Sequence, residues 1–233
     1  MPAVRCRETV TASGNHAALM DRIYRRQRHI YDFTRKYYLF GRDTLIDSLQ
    51  PKPKARILEV GCGTARNLVR LAKLYPGRQL FGLDASEAML ETAAQNIAAA
   101  GLEGQIRLAH AYAADVSAKL FGEDALFDDI FFSYSLSMIP DWKQALRVAA
   151  EALGPGGRIH IVDFGDLKGC PRLARGALLG WLRLFHVEPR IELLETLERN
   201  SDNFAEFQLL MGRYAFILTS VASGLSSSAL PVA

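Results

Sequence analysis

The sequence predicts an α/β protein built on a doubly wound sheet. Three observations predict it. From residue 56 onward, short apolar runs of strand length alternate with longer stretches of helical periodicity. The run Arg56-Ile57-Leu58-Glu59-Val60 ends on Gly61-Cys62-Gly63-Thr64, and helical spacing of apolar residues then runs from Thr64 to Ala72. A strand, a glycine turn and a helix in that order aim backbone N–H groups and a helix N-terminus into a crevice at the sheet's edge. The second apolar run, Gln79 to Asp84, ends in an acid 23 residues after Gly61. In doubly wound folds an acid at that place accepts hydrogen bonds from both ribose hydroxyls.

The elements follow in order. Residues 1–14 read as a loose leader, and Asn15 to Leu49 as helical with one break near Gly41. Ile23, Gln27, Ile30, Tyr31, Thr34, Tyr37 and Tyr38 share one side, while Arg22, Arg25, Arg26, Arg35 and Lys36 fall largely on the other. Six aromatic residues lie between Tyr24 and Phe40. Such a segment fits a helix packed on the core, a lid over the crevice, or a surface for anionic lipid. Pro51-Lys52-Pro53-Lys54 ends it. Three domains result: a basic helical cap over 1–50, a core over 51–220 and a mobile tail over 221–233, the Ser-, Gly- and Ala-rich end that begins around Ser220.

Within the core, Ser86 is placed to cap a helix that runs to about Ala100, with Met89 and Leu90 facing in. Ile106 to His110 is the third strand, with Asp115 and Val116 just past its end. Asp115 is placed to accept from an adenine amino group, or else to cap a helix. Phe127 to Tyr134 is apolar on both faces, as a central parallel strand should be. Ser135 to Trp142 would then line the substrate side, and Lys143 to Leu153 is helical. Gly154-Pro155-Gly156-Gly157 reads as a turn and Arg158 to Phe164 as the fifth strand, ending near Asp163, a site residue or a cap. Pro171 to Asn200 is a helical stretch with a basic–apolar character, and Phe204–Leu210 with Arg213–Thr219 forms a hairpin around Gly212.

Composition narrows the class. The chain has 233 residues, 49% of them hydrophobic, enough for one sizeable core. Cys6, Cys62 and Cys170 are scattered without a C-x-x-C, so neither a disulfide framework nor a zinc site is indicated, and no metal is expected. No signal-peptide pattern opens the chain and no apolar run reaches membrane-spanning length, which with the cysteine usage fits the cytoplasm. Residues 1–50 hold nine Lys/Arg against five Asp/Glu, leaving 19 against 20 elsewhere, so the whole basic excess lies ahead of the glycine turn.

The turn selects its cofactor by charge. A dinucleotide wants G-x-G-x-x-G, because its pyrophosphate sits on the helix N-terminus. Arg66 stands where the third glycine belongs, and Glu59 would repel a pyrophosphate. A sulfonium cofactor carries positive charge and no phosphate there, so close backbone approach and nearby carboxylates suit it. The form Glu59-x-Gly61-x-Gly63-Thr64 resembles the first motif of the class I S-adenosylmethionine-dependent methyltransferases. With Asp84, Asp115 and the strand ending at Ser133 the resemblance covers roughly residues 51–220. It implies a Rossmann-like, seven-stranded sheet of order 3-2-1-4-5-7-6 with strand seven antiparallel, and S-adenosylmethionine held by Tyr38, Arg42, Glu59, Gly61, Gly63, Asp84, Ala85, Met89, Asp115, Val116 and Ser133. Ser133-Tyr134-Ser135-Leu136 departs from the N-P-P-Y pattern of amino-methyltransferases acting on DNA, which disfavours a flipped base and any nucleic-acid partner.

Residues Tyr24 to Asp43, Ser137 to Trp142 and Phe185 to Arg190 resemble the bacterial diacylglyceryl-homoserine N-methyltransferases. That resemblance implies three successive methylations of a lipid amine to a betaine at the inner membrane surface, with an upstream aminocarboxypropyl transferase as partner. Tyr31, His29 and Asp32 are its candidate bases. Tyr24, Tyr134 and Trp142 are candidates to hold the methylated cation, and Arg25, Arg26 or Arg190 to clamp the homoserine carboxylate. Two other readings stand beside it: a methyltransferase for a soluble or quinone-like acceptor, and a binding protein that has lost catalysis.

Overall fold

The computed structural model describes residues 39–184, 187–200 and 204–221. Seven strands form one sheet: β1 (Arg56–Val60), β2 (Gln79–Asp84), β3 (Ile106–His110), β4 (Phe127–Ser133), β5 (Leu153–Phe164), β6 (Glu206–Leu210) and β7 (Ala215–Val221). Their spatial order is β3-β2-β1-β4-β5-β7-β6, as the first-motif resemblance implies. Strands β1 to β5 pair in parallel, and β7 runs antiparallel to both β5 and β6. The helices are α1 (Arg42–Ser48), α2 (Arg66–Leu74), α3 (Glu87–Ala99), α4 (Trp142–Glu151), α5 (Arg172–Leu184) and α6 (Ile191–Arg199).

The central strands bury both faces, because helices cover each side of the sheet. Leu58, Val60, Ile130, Phe132, Ile159 and Ile161 pack with Ala145 and Leu146 of α4 and Leu193, Leu194 and Leu197 of α6. Ile57, Phe131, Val162 and Phe164 point the other way, toward Leu45 and Ile46 of α1, Leu68 and Leu71 of α2, Ala93 and Ile97 of α3 and Leu182 of α5. The core therefore reaches upstream of residue 51, since Leu45, Ile46 and Leu49 are fully buried in the same cluster as β1. Two ion pairs, Asp43 with Arg66 and Asp47 with Arg70, stitch α1 to α2. They are more than a third exposed and screened by solvent, worth at most ~1 kcal/mol each. Burying one aliphatic side chain is worth about 1.5–3 kcal/mol. Packing, not charge, therefore seats α1.

Three boundaries differ from the sequence reading, and one agrees with it. Gly41, at φ 79°, breaks the chain where expected, and α1 starts directly after it. Helix α2 begins at Arg66 instead of Thr64, because Ala65 sits at φ 60° and delays the first helical turn. Leu153 already pairs with Phe127, so Gly154-Pro155-Gly156-Gly157 forms a bulge within β5 before the register resumes at Asp129–Arg158. At the C-terminal end, Ser220 is fully buried and Val221 pairs with Arg158, so the sheet takes the first residue assigned to the tail. The rest of that tail, 222–233, lies outside the described residues, as does the cap through residue 38.

One polar network is buried on the α1 side of the sheet. His160 Nε2 meets Asp129 Oδ1 at 3.0 Å and its Nδ1 meets Thr219 Oγ1 at 3.0 Å. Arg158 donates to Asp129 Oδ1 at 2.8 Å and to the Leu49 carbonyl at 3.0 Å, tying β5 to the end of α1.

Candidate active site

The crevice opens at the C-terminal edge of the parallel strands, where β1 runs into its glycine turn. The amides of Gly61 and Cys62 both donate to the Leu83 carbonyl, at 2.8 and 3.0 Å, and fold the turn back over β2. Gly61 has φ 76°, and a Cβ there would lie 2.6 Å from Ser135 Cβ. Only glycine meets both demands. Gly63, at φ 53°, donates its amide to Asp84 Oδ2 at 2.8 Å. Asp84 Oδ1 accepts from the Ser86 amide at 2.9 Å. One carboxylate thus pins the turn and the start of α3. Ser86 caps α3, its Oγ accepting from the Met89 amide at 3.3 Å, as its position predicts.

Glu59 is buried, and its Oε1 accepts from Asn67 Nδ2 at 2.7 Å. A charged group beneath the turn therefore lies against the first turn of α2. Burial of Cys62, with Asp84 and Glu59 close by, pushes its thiol well above the ordinary range, so Cys62 is packing and not a nucleophile. His110 meets the Ala85 carbonyl at 3.0 Å and fixes the backbone beyond Asp84. Asp115 is exposed on a single 3₁₀ turn, Ala113–Asp115, past β3. Val116, by contrast, places its side chain in the core, and Met89 is also buried, so from Val116 the crevice gains backbone only. At the end of β4, Ser133 Oγ is shielded from solvent with no hydrogen-bond partner among the described residues. Arg42 opens α1 and lines a groove of about 410 Å³ with Thr64, Arg66 and Asn96.

The loop after β4 is held from five directions. Tyr134, at φ 55°, donates its amide to the Val162 carbonyl at 2.8 Å and its hydroxyl to the Phe40 carbonyl. Ser135 Oγ donates to the Val60 carbonyl at 2.7 Å. The Ser137 amide donates to Asp163 Oδ2 at 3.0 Å, and the Ser137 carbonyl accepts from the Glu188 amide at 3.0 Å. Arg190 donates to the Leu136 and Ile139 carbonyls, at 3.0 and 2.6 Å. Asp163 caps the amides of Ser137 and Phe164. Burial pushes its carboxyl above the usual range, against the pull of those donors.

Three of the expected acceptor contacts fall on side chains that already have partners within the protein. Tyr134 is buried against Phe164, ring centroids 4.7 Å apart, with its hydroxyl on Phe40. Trp142 is buried in the core below α4, with the Lys143 ammonium 5.6 Å from its ring. Arg190 spends its fork on loop carbonyls and also faces Glu188 at 3.5 Å. None is a free aromatic wall or carboxylate clamp. Tyr24, Arg25, Arg26, His29, Tyr31, Asp32 and Tyr38 lie outside the described residues. Sequence reasoning missed the Asn67–Glu59 bond and the Asp43–Arg66 and Asp47–Arg70 pairs. The pairs had a signal, since acids and arginines each recur at a spacing of four on adjoining helices.

Residues 57–157 match the family model described as a methyltransferase domain. The chain has the class I methyltransferase fold, and its cofactor is S-adenosylmethionine. The methyltransferase domain is similar to the ubiquinone/menaquinone biosynthesis C-methyltransferase UbiE of Geotalea daltonii, 30% identical over 58% of this chain and 58% of that protein. It is similar to the O-methyltransferase resE of Aspergillus sclerotiorum, 33% identical over 65% of this chain and 56% of that protein. The chain thus spans less than two thirds of the length of these relatives. Among solved structures, the apo form of the S-adenosylmethionine-dependent methyltransferase SibL shares the fold with a TM-score of 0.62, at 24% identity over 82% of this chain and 57% of that one.

The crevice fits that cofactor on its own geometry. The bare Cα of Gly61 packs against Ser135, where a Cβ would clash at 2.6 Å, and so keeps the turn close to the loop after β4. Asp84 stands at the end of β2 beside the turn, Asp115 is exposed beyond β3, and Ser133 Oγ is shielded without a partner among the described residues.

Proposed function

We propose that the chain methylates a carbon or oxygen nucleophile on a small, apolar acceptor of the phenol or quinol class. The observation that carries this reading is the state of the acceptor side. Tyr134, Trp142 and Arg190, the acceptor candidates that fall within the described residues, are all committed to the protein itself. An apolar acceptor needs neither a cation cage nor an arginine clamp. The printed activities of the similar proteins, C- and O-methyl transfer, support the same class. They favour it over the lipid amine that the N-terminal resemblance implies.

When bound, S-adenosylmethionine supplies a methyl group on a positive sulfur. Asp84 accepts from its ribose hydroxyls, and Asp115 from its adenine amine. Gly61 and Gly63 let backbone approach without side chains in the way. The braced loop 135–139 orients the acceptor, since much of the rate of an in-line displacement comes from positioning. His29, Tyr31 and Asp32 remain our candidates to take the proton of the acceptor.

The test is mass spectrometry of the protein incubated with S-adenosylmethionine and, separately, a demethylated quinol, a simple phenol and diacylglyceryl-homoserine. A single methyl gain on the quinol or phenol is expected. Successive gains on the lipid amine, with the quinol and phenol unchanged, would restore the betaine-lipid reading.

A further inference from the structure

Helix α5 has an unusual face toward water. Its 13 residues carry Arg172, Arg175 and Arg183, with no acid, amide or hydroxyl side chain. Only Leu182 is buried among its described side chains. Arg172, Leu173, Gly176, Ala177 and Gly180 are exposed and recur at spacings of three and four, so they form one outward face. Leu173 is 91% exposed. A helix on a water-facing surface puts polar residues on its outer side; this one puts a leucine, an alanine and two glycines there, bordered by arginine.

A second bare apolar side chain lies beside it. Met211, 63% exposed, stands at the tip of the β6–β7 turn. The neighbouring Gly212 abuts Gly169, just ahead of α5, so closely that a Cβ on Gly169 would lie 2.3 Å from the Gly212 carbonyl oxygen. The contact brings the Met211 tip to the start of the helix. Thirteen residues span about 20 Å, short of the ~30 Å hydrocarbon layer, and among the described residues no helix is long and apolar enough to cross a membrane. Apolar side chains and a basic border on a short surface helix suit the plane of a lipid interface.

We propose that α5 and the Met211 turn dock on an anionic lipid bilayer. Leu173, Ala177 and Met211 enter the acyl boundary, and Arg172 meets lipid phosphates. The placement gives docking a use. Helix α5 leaves the same edge of the sheet that carries the crevice, and the residues after it, Glu188 and Arg190, hold the loop on the acceptor side. Docking there turns that side toward the bilayer, so an apolar acceptor reaches it without crossing water. The docking is argued from α5 and Met211 alone, while its use rests on the apolar acceptor proposed above.

The test is sedimentation of the full chain with vesicles of phosphatidylcholine alone, or mixed equally with phosphatidylglycerol. Binding is expected to the mixed vesicles only, and to weaken in high salt. The double variant Leu173→Glu, Met211→Glu should lower the bound fraction about tenfold, and Arg172→Glu less, as apolar burial and charge both contribute. S-adenosylhomocysteine affinity, unchanged in each variant, shows that they are folded. Absence of binding to mixed vesicles, or full binding by the double variant, overturns the proposal. So does retention of a short RNA that Arg172→Glu loses and Leu173→Glu keeps, which marks a polyanion site instead.

Discussion

The Gly63 amide donates to Asp84 Oδ2 at 2.8 Å across the crevice, and through it the cofactor turn and the second strand hold each other in shape. The other oxygen holds Ser86. The side chain proposed to meet the ribose is thus also the one that fixes the backbone around it.

Replacing Asp84 with Asn should disturb the turn even before cofactor is added. An amide has one acceptor and one donor group, so either Gly63 or Ser86 would face N–H with N–H. Losing a hydrogen bond to a charged acceptor costs about 1.5–3 kcal/mol. A thermal melt without cofactor should show a drop of several degrees.

Gly61 and Gly77 separate two glycine requirements. Both have positive φ, 76° and 80°, but a Cβ at Gly61 strikes Ser135 while one at Gly77 has nothing within 4 Å. Gly77→Ala should cost only the left-handed penalty, about 1–2 kcal/mol. Gly61→Ala should cost more in a denaturant melt and should also abolish S-adenosylmethionine binding, which Gly77→Ala leaves intact.

Most of the sheet was legible because its strands are short apolar runs cut by glycine and proline, and such runs depend on their own sequence. The bulge in β5 was not, since Leu153 becomes strand only through Phe127 on its neighbour. The geometry of the glycine turn was legible for the same local reason: Gly61, Gly63 and Asp84 follow from backbone geometry within two adjacent strands. The acceptor side was not. Tyr134 finds its partner 94 residues away in Phe40, and Arg190 finds its carbonyls 54 and 51 residues away. An aromatic or an arginine in a sequence does not say whether the fold has already spent it.

The network at His160 makes stability depend on pH. Burial holds the His160 imidazole below its ordinary value, although Asp129 pulls it back. Burial alone would raise Asp129, but hydrogen bonds from His160 and Arg158 outweigh it and hold the carboxyl low. The unfolded chain therefore binds more protons than the native one in each case, and stability rises with pH. It should fall as pH drops below about 6.5, the unfolded histidine value, and again below about 3.9, the unfolded aspartate value. Urea melts from pH 8 to pH 5 should show the first loss, and His160→Gln should flatten that slope even where it lowers stability overall.

Arg190 braces the acceptor loop and does not touch the glycine turn. Arg190→Ala should free the Leu136 and Ile139 carbonyls and speed amide exchange across residues 135–139 by about tenfold or more, the loss of two charge-assisted bonds. S-adenosylhomocysteine affinity should stay within about twofold, because the variant leaves Asp84 and the turn in place.

The central claim is that Asp84 and the glycine turn hold S-adenosylmethionine, and calorimetric titration tests it most directly. The account predicts one-to-one binding by the wild-type chain and a loss of at least about tenfold in Asp84→Ala, the value of a charge-assisted hydrogen bond. Failure of the wild-type chain to bind, or equal affinity in Asp84→Ala, would contradict it.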